Sequence, residues 1–412
     1  MNENPLPSPP TLDRRRFVAS LGLLGAAASL PSLRAASSPG TIEQAGTGVM
    51  KCRPYLQAAR PDRISVRWIT HSRCFSWVEF GENPTGLNRK GTQVEDGLAQ
   101  ADNTVHAIAL TGLEPGRRYY YRAMSREVQS LARKKVAFGR TQASEVFSFT
   151  APQLRPEKVE FLVLNDIHDR PESFAAVWEH QTKGPKDFVF LNGDMFNFQE
   201  SEDQIVKHLL DPLTQLFATE TPFYFGRGNH ETWGDFSRQL RDYFDGGAEK
   251  FYYALPIGPM YGLVLDSGES KPDDDMVHGG IHAFDAYRAA QARWLEREVE
   301  KPAFKAAKFR VAFVHIPPFY MNEPVHASLH CRELWGPILN RAKLDLMICG
   351  HTHSHGVHPA VPGQHNFPIV IGGGPRDGRR TIMHVTVNAQ SLSLTMKNDA
   401  GKRVGELRLA AT

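Results

Sequence analysis

Apolar positions recur along this chain at two different spacings, and the change between them divides it. Between about residues 51 and 150 the runs are short and alternating. "RISVRWI" sets Ile64, Val66 and Trp68 on one face, and "WVEF", "VHAIAL", "YYYRA" and "FSFT" repeat the rhythm between turns. Period-two alternation marks strands with one wet face, so an antiparallel β-sandwich is expected here. From about residue 158 the strands become continuous apolar runs, "VEFLVL", "DFVFL", "PFYF", "YGLVL", "FRVAFV", "LDLMI" and "FPIVI". Charged loops and helical periods separate them. Residues 284–299, for instance, place Phe284, Tyr287, Gln291, Trp294 and Leu295 on one stripe. This layout predicts an α/β domain whose polar loops gather at the carboxyl ends of the strands. Beyond residue 381, "IMHVTV", "LSLTM" and "GELRL" alternate again and are expected to complete a second sheet.

The first residues follow neither rhythm. "LDRRRFVASLGLLGAAASL" puts Arg14 and Arg15 just before Phe17 and an apolar Gly/Ala-rich run, and "PSLRAASSPG" follows. That resembles a twin-arginine signal with its cleavage region, residues 1–38, which implies export of an already folded protein to the periplasm or cell exterior by the twin-arginine machinery. The apolar run is too short for a stable membrane anchor, and nothing after it reads as a membrane span. A basic amphipathic helix is the alternative reading.

The composition of the whole 412-residue chain is ordinary, 41% hydrophobic and 23% charged, enough for a large core and two domains. The net charge of +3 is partly carried by the leader, and no basic face of the kind that tracks nucleic acid stands out. Cys52, Cys74, Cys331 and Cys349 show no C-x-x-C spacing; free buried thiols are the default, with Cys52–Cys74 the one disulfide considered.

The chemistry collects at the strand ends. "VLNDIHD" supplies Asp166 and His168, "LNGDMFN" Asp194, "GRGNHE" Asn229 and His230, "FVHIPP" His315, and "CGHTHSH" His351 and His353. Each fragment alone is common turn chemistry. Five such fragments after five strands are not. Two cations about 3.5–4 Å apart need a carboxylate to bridge them and mixed nitrogen and oxygen ligands around it, and Asp194 is the natural bridge.

The order D-x-H, GD, GNH(E), H, GHxH across residues 158–409 is similar to the calcineurin-like metallophosphoesterase superfamily, which includes the purple acid phosphatases. "RPYLQAARPDRISVRWIT" resembles the opening of the purple acid phosphatase N-terminal domain, and "LEPGRRYYY" resembles the tyrosine corner of fibronectin type III domains. The resemblance implies a four-layer α/β/β/α domain at 157–411 behind a fibronectin III-like β-sandwich at 48–152. It implies two metal ions per subunit, Fe, Mn or Zn, between which these ligand types do not choose. Asp166, His168, Asp194 and His353 would hold one ion, and Asp194, Asn229, His315 and His351 the other. Asp194 and His230 would be catalytic, His230 as proton donor or phosphate contact or else as a support for a ligand. Asn229, His230 and His355 would face the substrate.

One departure matters. Purple acid phosphatases carry a metal-bound tyrosinate three residues after the bridging Asp and Gly where this chain has His168; here the tyrosine position is Asn197. His168 is expected to replace the phenolate, so no purple colour is expected. The implied activity is hydrolysis of a small phosphomonoester by attack of a metal-bound hydroxide in line on phosphorus. A phosphodiesterase of cyclic nucleotides, nucleic-acid or lipid diesters is the alternative, and a non-catalytic exported binding protein a minor one. The loop "SGESKPDDDMVHGGIHAF", with His278 and His282, could overhang the site as a lid or be a surface excursion. His326 and His330 raise the same choice. Glu231 and Trp233 read as rim residues or as local packing.

Overall fold

The computed structural model describes residues 42–43, 48–245 and 251–411, so the twin-arginine segment lies outside the described residues. In the amino-terminal region the strand Arg63–Gly81 serves two layers. Its first half pairs with Tyr55–Arg60 and Asn103–Thr111, its second with Arg89–Thr92 and Arg118–Ala132, and the register breaks between Ile69 and Cys74. An irregularity of that kind lets one strand bend from one sheet to the other. Trp68, Val78, Ile108, Leu110, Tyr119 and Tyr121 fill the interior. The expected tyrosine corner is present: the Tyr119 hydroxyl accepts the Glu114 N–H at 2.9 Å. Cys52 and Cys74 are separate, buried thiols, as are Cys331 and Cys349.

His106 is buried in this interior against Trp68, with Nε2 at 3.0 Å from Thr70 Oγ1 and 3.3 Å from Ser76 Oγ. Burial pushes its pKa down to about 4. Below pH 6.5 the unfolded chain therefore takes up a proton that the folded chain refuses until about pH 4. Stability is expected to fall across that window as pH drops, by up to about 3 kcal/mol. Thermal melts from pH 7 to 4 should show the slope, and His106→Gln should flatten it; equal slopes in both proteins would exclude His106 as the source.

The second region has two sheets. In the first, Phe223–Gly226, Phe188–Asn192 and Lys158–Leu164 run parallel. The tail strands Thr381–Asn388, Ser391–Asn398 and Arg403–Ala410 extend this same sheet antiparallel from Lys158–Leu164. They do not complete the second sheet, as their pattern had suggested; alternation announces a half-buried strand but not its partner. The second sheet runs Met260–Leu265, Phe309–Val314, Leu346–Cys349 and Ile369–Ile371 in parallel, with Tyr253–Ile257 and Gly356–His358 antiparallel at its edges.

The sheets pack face to face through aromatic rings, Phe190 stacking on Phe313 at 4.2 Å between centroids. Phe174, Ile205, Leu209 and Leu213 cover the outside of the first sheet, and Leu295, Trp335, Ile338 and Leu339 that of the second. This is the four-layer α/β/β/α order. Among the described residues no helix is long and apolar enough to cross a membrane.

The helix Phe284–Glu298 buries Gln291 and Leu295 of the expected stripe, and also Arg288. That guanidinium donates to the carbonyls of Ser267 and Glu269, so an internal cation anchors the loop that follows Met260–Leu265. The amino-terminal sandwich is no detached spacer. Gln57 of its strand Tyr55–Arg60 pairs with Phe223, Tyr121 Oη donates to Thr219 O at 2.7 Å and Tyr55 Oη to Tyr243 O at 3.0 Å. One apolar cluster runs through both regions, from Trp68 to Leu213.

Candidate metal centre

Every motif residue singled out above leaves the carboxyl end of a strand or the turn after it. Asp166 and His168 follow Lys158–Leu164, Asp194 follows Phe188–Asn192, Asn229 and His230 follow Phe223–Gly226, His315 follows Phe309–Val314, and His351 and His353 follow Leu346–Cys349. Five of the seven expected ligands have left-handed backbone: Asp166 (φ 53°), His168 (53°), Asp194 (55°), His351 (70°) and His353 (54°). Such conformations cost a non-glycine residue on the order of 1 kcal/mol or more. Their concentration here means the surrounding fold holds the turns so that the side chains converge.

The convergence forms two groups of donor atoms, each within 4.8 Å of one another: Asp166, His168, Asp194 and His353, and Asp194, His315 and His351. Asp194 belongs to both. Its Oδ2 lies 2.9 Å from His315 Nε2 and 3.6 Å from His168 Nε2, while Oδ1 accepts the His230 N–H at 3.1 Å. Asp166 divides its oxygens likewise. Oδ2 accepts from Asn165 Nδ2 at 2.6 Å, the His351 N–H is shared between Oδ2 at 2.9 Å and Oδ1 at 3.2 Å, and Oδ1 faces His353 Nε2 at 3.3 Å.

Three imidazoles are oriented from behind. His315 Nδ1–H donates to Asn192 O at 2.8 Å, His230 Nδ1–H to Asn197 O at 2.7 Å, and His168 Nδ1–H to Asn197 Oδ1 at 3.2 Å. Each acceptor is an oxygen, so each ring keeps Nε2 for the opposite side, the arrangement that outer partners impose on metal-binding histidines. Asn197, which occupies the position where the phenolate would stand, thus positions the His168 ring expected to replace it.

The donor set fits metal ions. Asn229 Oδ1 is buried without a hydrogen-bond partner, and His315 Nε2 has Asp194 Oδ2 beside it at 2.9 Å but outside hydrogen-bond geometry, which is costly in a protein interior unless another acceptor of those lone pairs is intended. Charge points the same way. Burial opposes ionisation of Asp166 and Asp194, but facing histidines outweigh it and hold both carboxylates below their usual range. Burial also opposes the His315 cation, yet Asp194 and Asp166 push its pKa up to about 10. His351, half-buried and beside His315, is instead pushed down to about 4, by desolvation first and by that neighbour second. Backbone must approach closely for this: a Cβ on Gly228 would sit 2.2 Å from Asp194 Oδ1, and one on Gly350 2.5 Å from Asp166 Oδ2.

Two polar residues support the site from behind. Of the two readings of Glu231, packing holds: it is fully buried beneath the site, not on its rim. Its carboxylate accepts four backbone N–H groups, from Gly228, Asp194, Met195 and Phe196 at 2.7 to 3.3 Å. Asn165 ties Asp166 to Gly373 O, a role whose one signal in the sequence is its place beside the first motif aspartate. Trp233 packs on His278 of the acidic loop and bonds through Nε1 to Glu269, so that loop lies against the chain following His230. His355 is exposed, with no hydrogen bond or ring contact among the described residues.

Comparison with known proteins agrees with this geometry. The calcineurin-like phosphoesterase family model matches residues 159–355, and the purple acid phosphatase N-terminal domain model matches residues 52–151. The chain is 23% identical over 326 residues to "Probable purple acid phosphatase 20" of Arabidopsis thaliana, covering 73% of this chain and 67% of that one. It is 26% identical over 321 residues to acid phosphatase type 7 of Mus musculus, covering 72% and 67%. The structure of purple acid phosphatase PPD1 from yellow lupin, Lupinus luteus, superposes with a TM-score of 0.64 at 15% identity, over 88% of this chain and 75% of the other, a likeness of fold. The chain therefore carries a calcineurin-like phosphoesterase domain behind a purple acid phosphatase N-terminal domain, and is a phosphoester hydrolase.

Proposed function

We propose that this protein is an exported dimetal phosphomonoesterase acting on small phosphate esters. The observation that carries the reading is the shared position of Asp194 between two groups of nitrogen and oxygen donors. Asp166, His168, Asp194 and His353 would hold one ion and Asp194, Asn229, His315 and His351 the other. A metal pair so held supplies activation of water near neutral pH and a clamp on the attacking and leaving oxygens of an in-line displacement. Imidazole and carboxylate ligands accommodate Fe, Mn or Zn alike.

The chain's own residues supply the rest. His230 is half-buried, keeps Nδ1–H on Asn197 O and so presents Nε2, its ring edge-on to His168 at 4.7 Å between centroids. That nitrogen suits a proton held for the leaving group or a hydrogen bond to a phosphate oxygen. Asp194 tethers the His230 N–H, so the two roles are geometrically linked. Monoesters are favoured by the N-terminal domain and by the names of the matched relatives, which are acid phosphatases. Export rests on Arg14, Arg15 and the apolar run behind them, and delivery would be to the periplasm or beyond through the twin-arginine machinery.

Metal-reconstituted protein is expected to turn over p-nitrophenyl phosphate with a kcat/KM at least about tenfold above that for bis(p-nitrophenyl) phosphate, a gap of about 1.4 kcal/mol in transition-state binding. The reverse preference would make it a diesterase. Inertness toward both with tight metal binding would remove the phosphatase reading.

A further inference from the structure

A second place in the fold brings metal-ligating side chains together. Asp285 stands in the first turn of Phe284–Glu298, and His326 and His330 lie one turn apart at the start of His326–Arg341. Asp285 Oδ1 is 2.7 Å from His326 Nε2 and 3.1 Å from His330 Nδ1, and the three donors lie within 4.8 Å of one another. We propose that Asp285, His326 and His330 form an additional binding site for a divalent ion of the zinc class, built on the outer helices instead of the strand ends.

Three details favour an ion over a simple Asp–His pair. The 2.7 Å contact accounts for His326, but His330 Nδ1 is buried and has no hydrogen bond of acceptable geometry although it faces Asp285. The separations are close to what zinc would need. Ligands at about 2.0–2.1 Å from a tetrahedral ion lie roughly 3.3 Å apart, so the observed 2.7 and 3.1 Å require spreading by a few tenths of an ångström. Finally, Arg288 NH1 donates at 2.8 Å to Asp285 Oδ1, the same oxygen that faces both imidazoles. That buried cation fixes the carboxylate beside the two rings, as an outer partner orients a metal ligand. The cluster is partly open to solvent, with His330 21% and Asp285 42% exposed, which provides an entry path and room for water as a fourth ligand.

The site lies where the acidic loop 267–283 is anchored. Phe284 follows the loop directly, and the Ala327 N–H, next to His326, donates to Ser270 O at 3.1 Å. An ion there would add to the contacts that already join the two helices, His326 with Asp285 at 2.7 Å and the Trp335 Nε1–H donated to Arg288 O at 3.2 Å, and would hold the loop at both ends.

Equilibrium dialysis of the full chain against micromolar free zinc, with bound metal counted by elemental analysis, tests the proposal. The wild type is expected to retain one more zinc per chain than either Asp285→Asn or His330→Ala. Because the quantity is a difference, it does not depend on how far the strand-end centre fills. Zinc should also raise the melting temperature of the wild type further than that of His330→Ala. Equal zinc counts in the wild type and a variant that keeps its far-ultraviolet circular dichroism would overturn the site. Should Asp285→Asn not fold, the more peripheral His330→Ala decides the matter alone.

Discussion

Replacing Asp194 by asparagine should lower kcat on a phosphomonoester by on the order of 10³-fold, the scale lost when a preorganised electrostatic group serving the transition state is removed. The side chain keeps its size, so the effect is expected without unfolding. Its origin is the double role of one carboxylate, with Oδ2 facing both His315 and His168 and Oδ1 holding the His230 N–H. A neutral amide weakens both donor groups together and offers an N–H₂ where only acceptors belong. Metal content and kcat should therefore fall together. A variant that retained two ions and more than a tenth of the wild-type turnover would sink the proposed shared-ligand role.

Glu231→Ala should be the most destabilising single change near the site, although Glu231 points at no substrate. Four amides that now donate to one carboxylate would be left buried and unpaired. Each unsatisfied group costs about 1–3 kcal/mol, less whatever water enters the cavity, so a loss of about 3–5 kcal/mol is expected by urea denaturation. The same amides shape residues 193–196, which present Asp194. Metal affinity should drop by about 10–100-fold in parallel, the range seen when an outer support of a metal ligand is removed. Glu231→Gln should recover only part of this, since half of its head group becomes a donor facing other donors. A destabilisation below about 1 kcal/mol in the alanine variant would show that the loop is held by other means.

The candidate ligands were legible because metal chemistry limits which side chains qualify and α/β architecture limits where they stand. Asp166, His168, Asp194, His315, His351 and His353 all follow predicted strands, and all are gathered into the two donor groups. Their supports were much harder to read. Glu231 looks in the sequence like any polar residue after a turn, and only its complete burial under four amides reveals what it does. Arg288 interrupts an amphipathic stripe and would ordinarily face water; two carbonyls and Asp285 make its burial tolerable. Asn197 stood out as the missing tyrosine, but its bond to His168 needed the loops in place.

The histidine triplet of "GHTHSH" shows the division most plainly. The strand before it and the left-handed turn within it send His351 and His353 to different donor groups and leave His355 exposed, whereas alternation alone suggests three equivalent side chains. By itself the sequence determined where the strands lie, the α/β class of the second region and which residues are candidate metal donors, because periodicity and ligand chemistry are properties of residue type and spacing. Only the tertiary structure decided which sheet the tail strands join, that the sandwich shares its core with the phosphoesterase region, and that Asp285, His326 and His330 meet. Those outcomes depend on contacts between segments far apart in the chain, and local pattern carries no information about them.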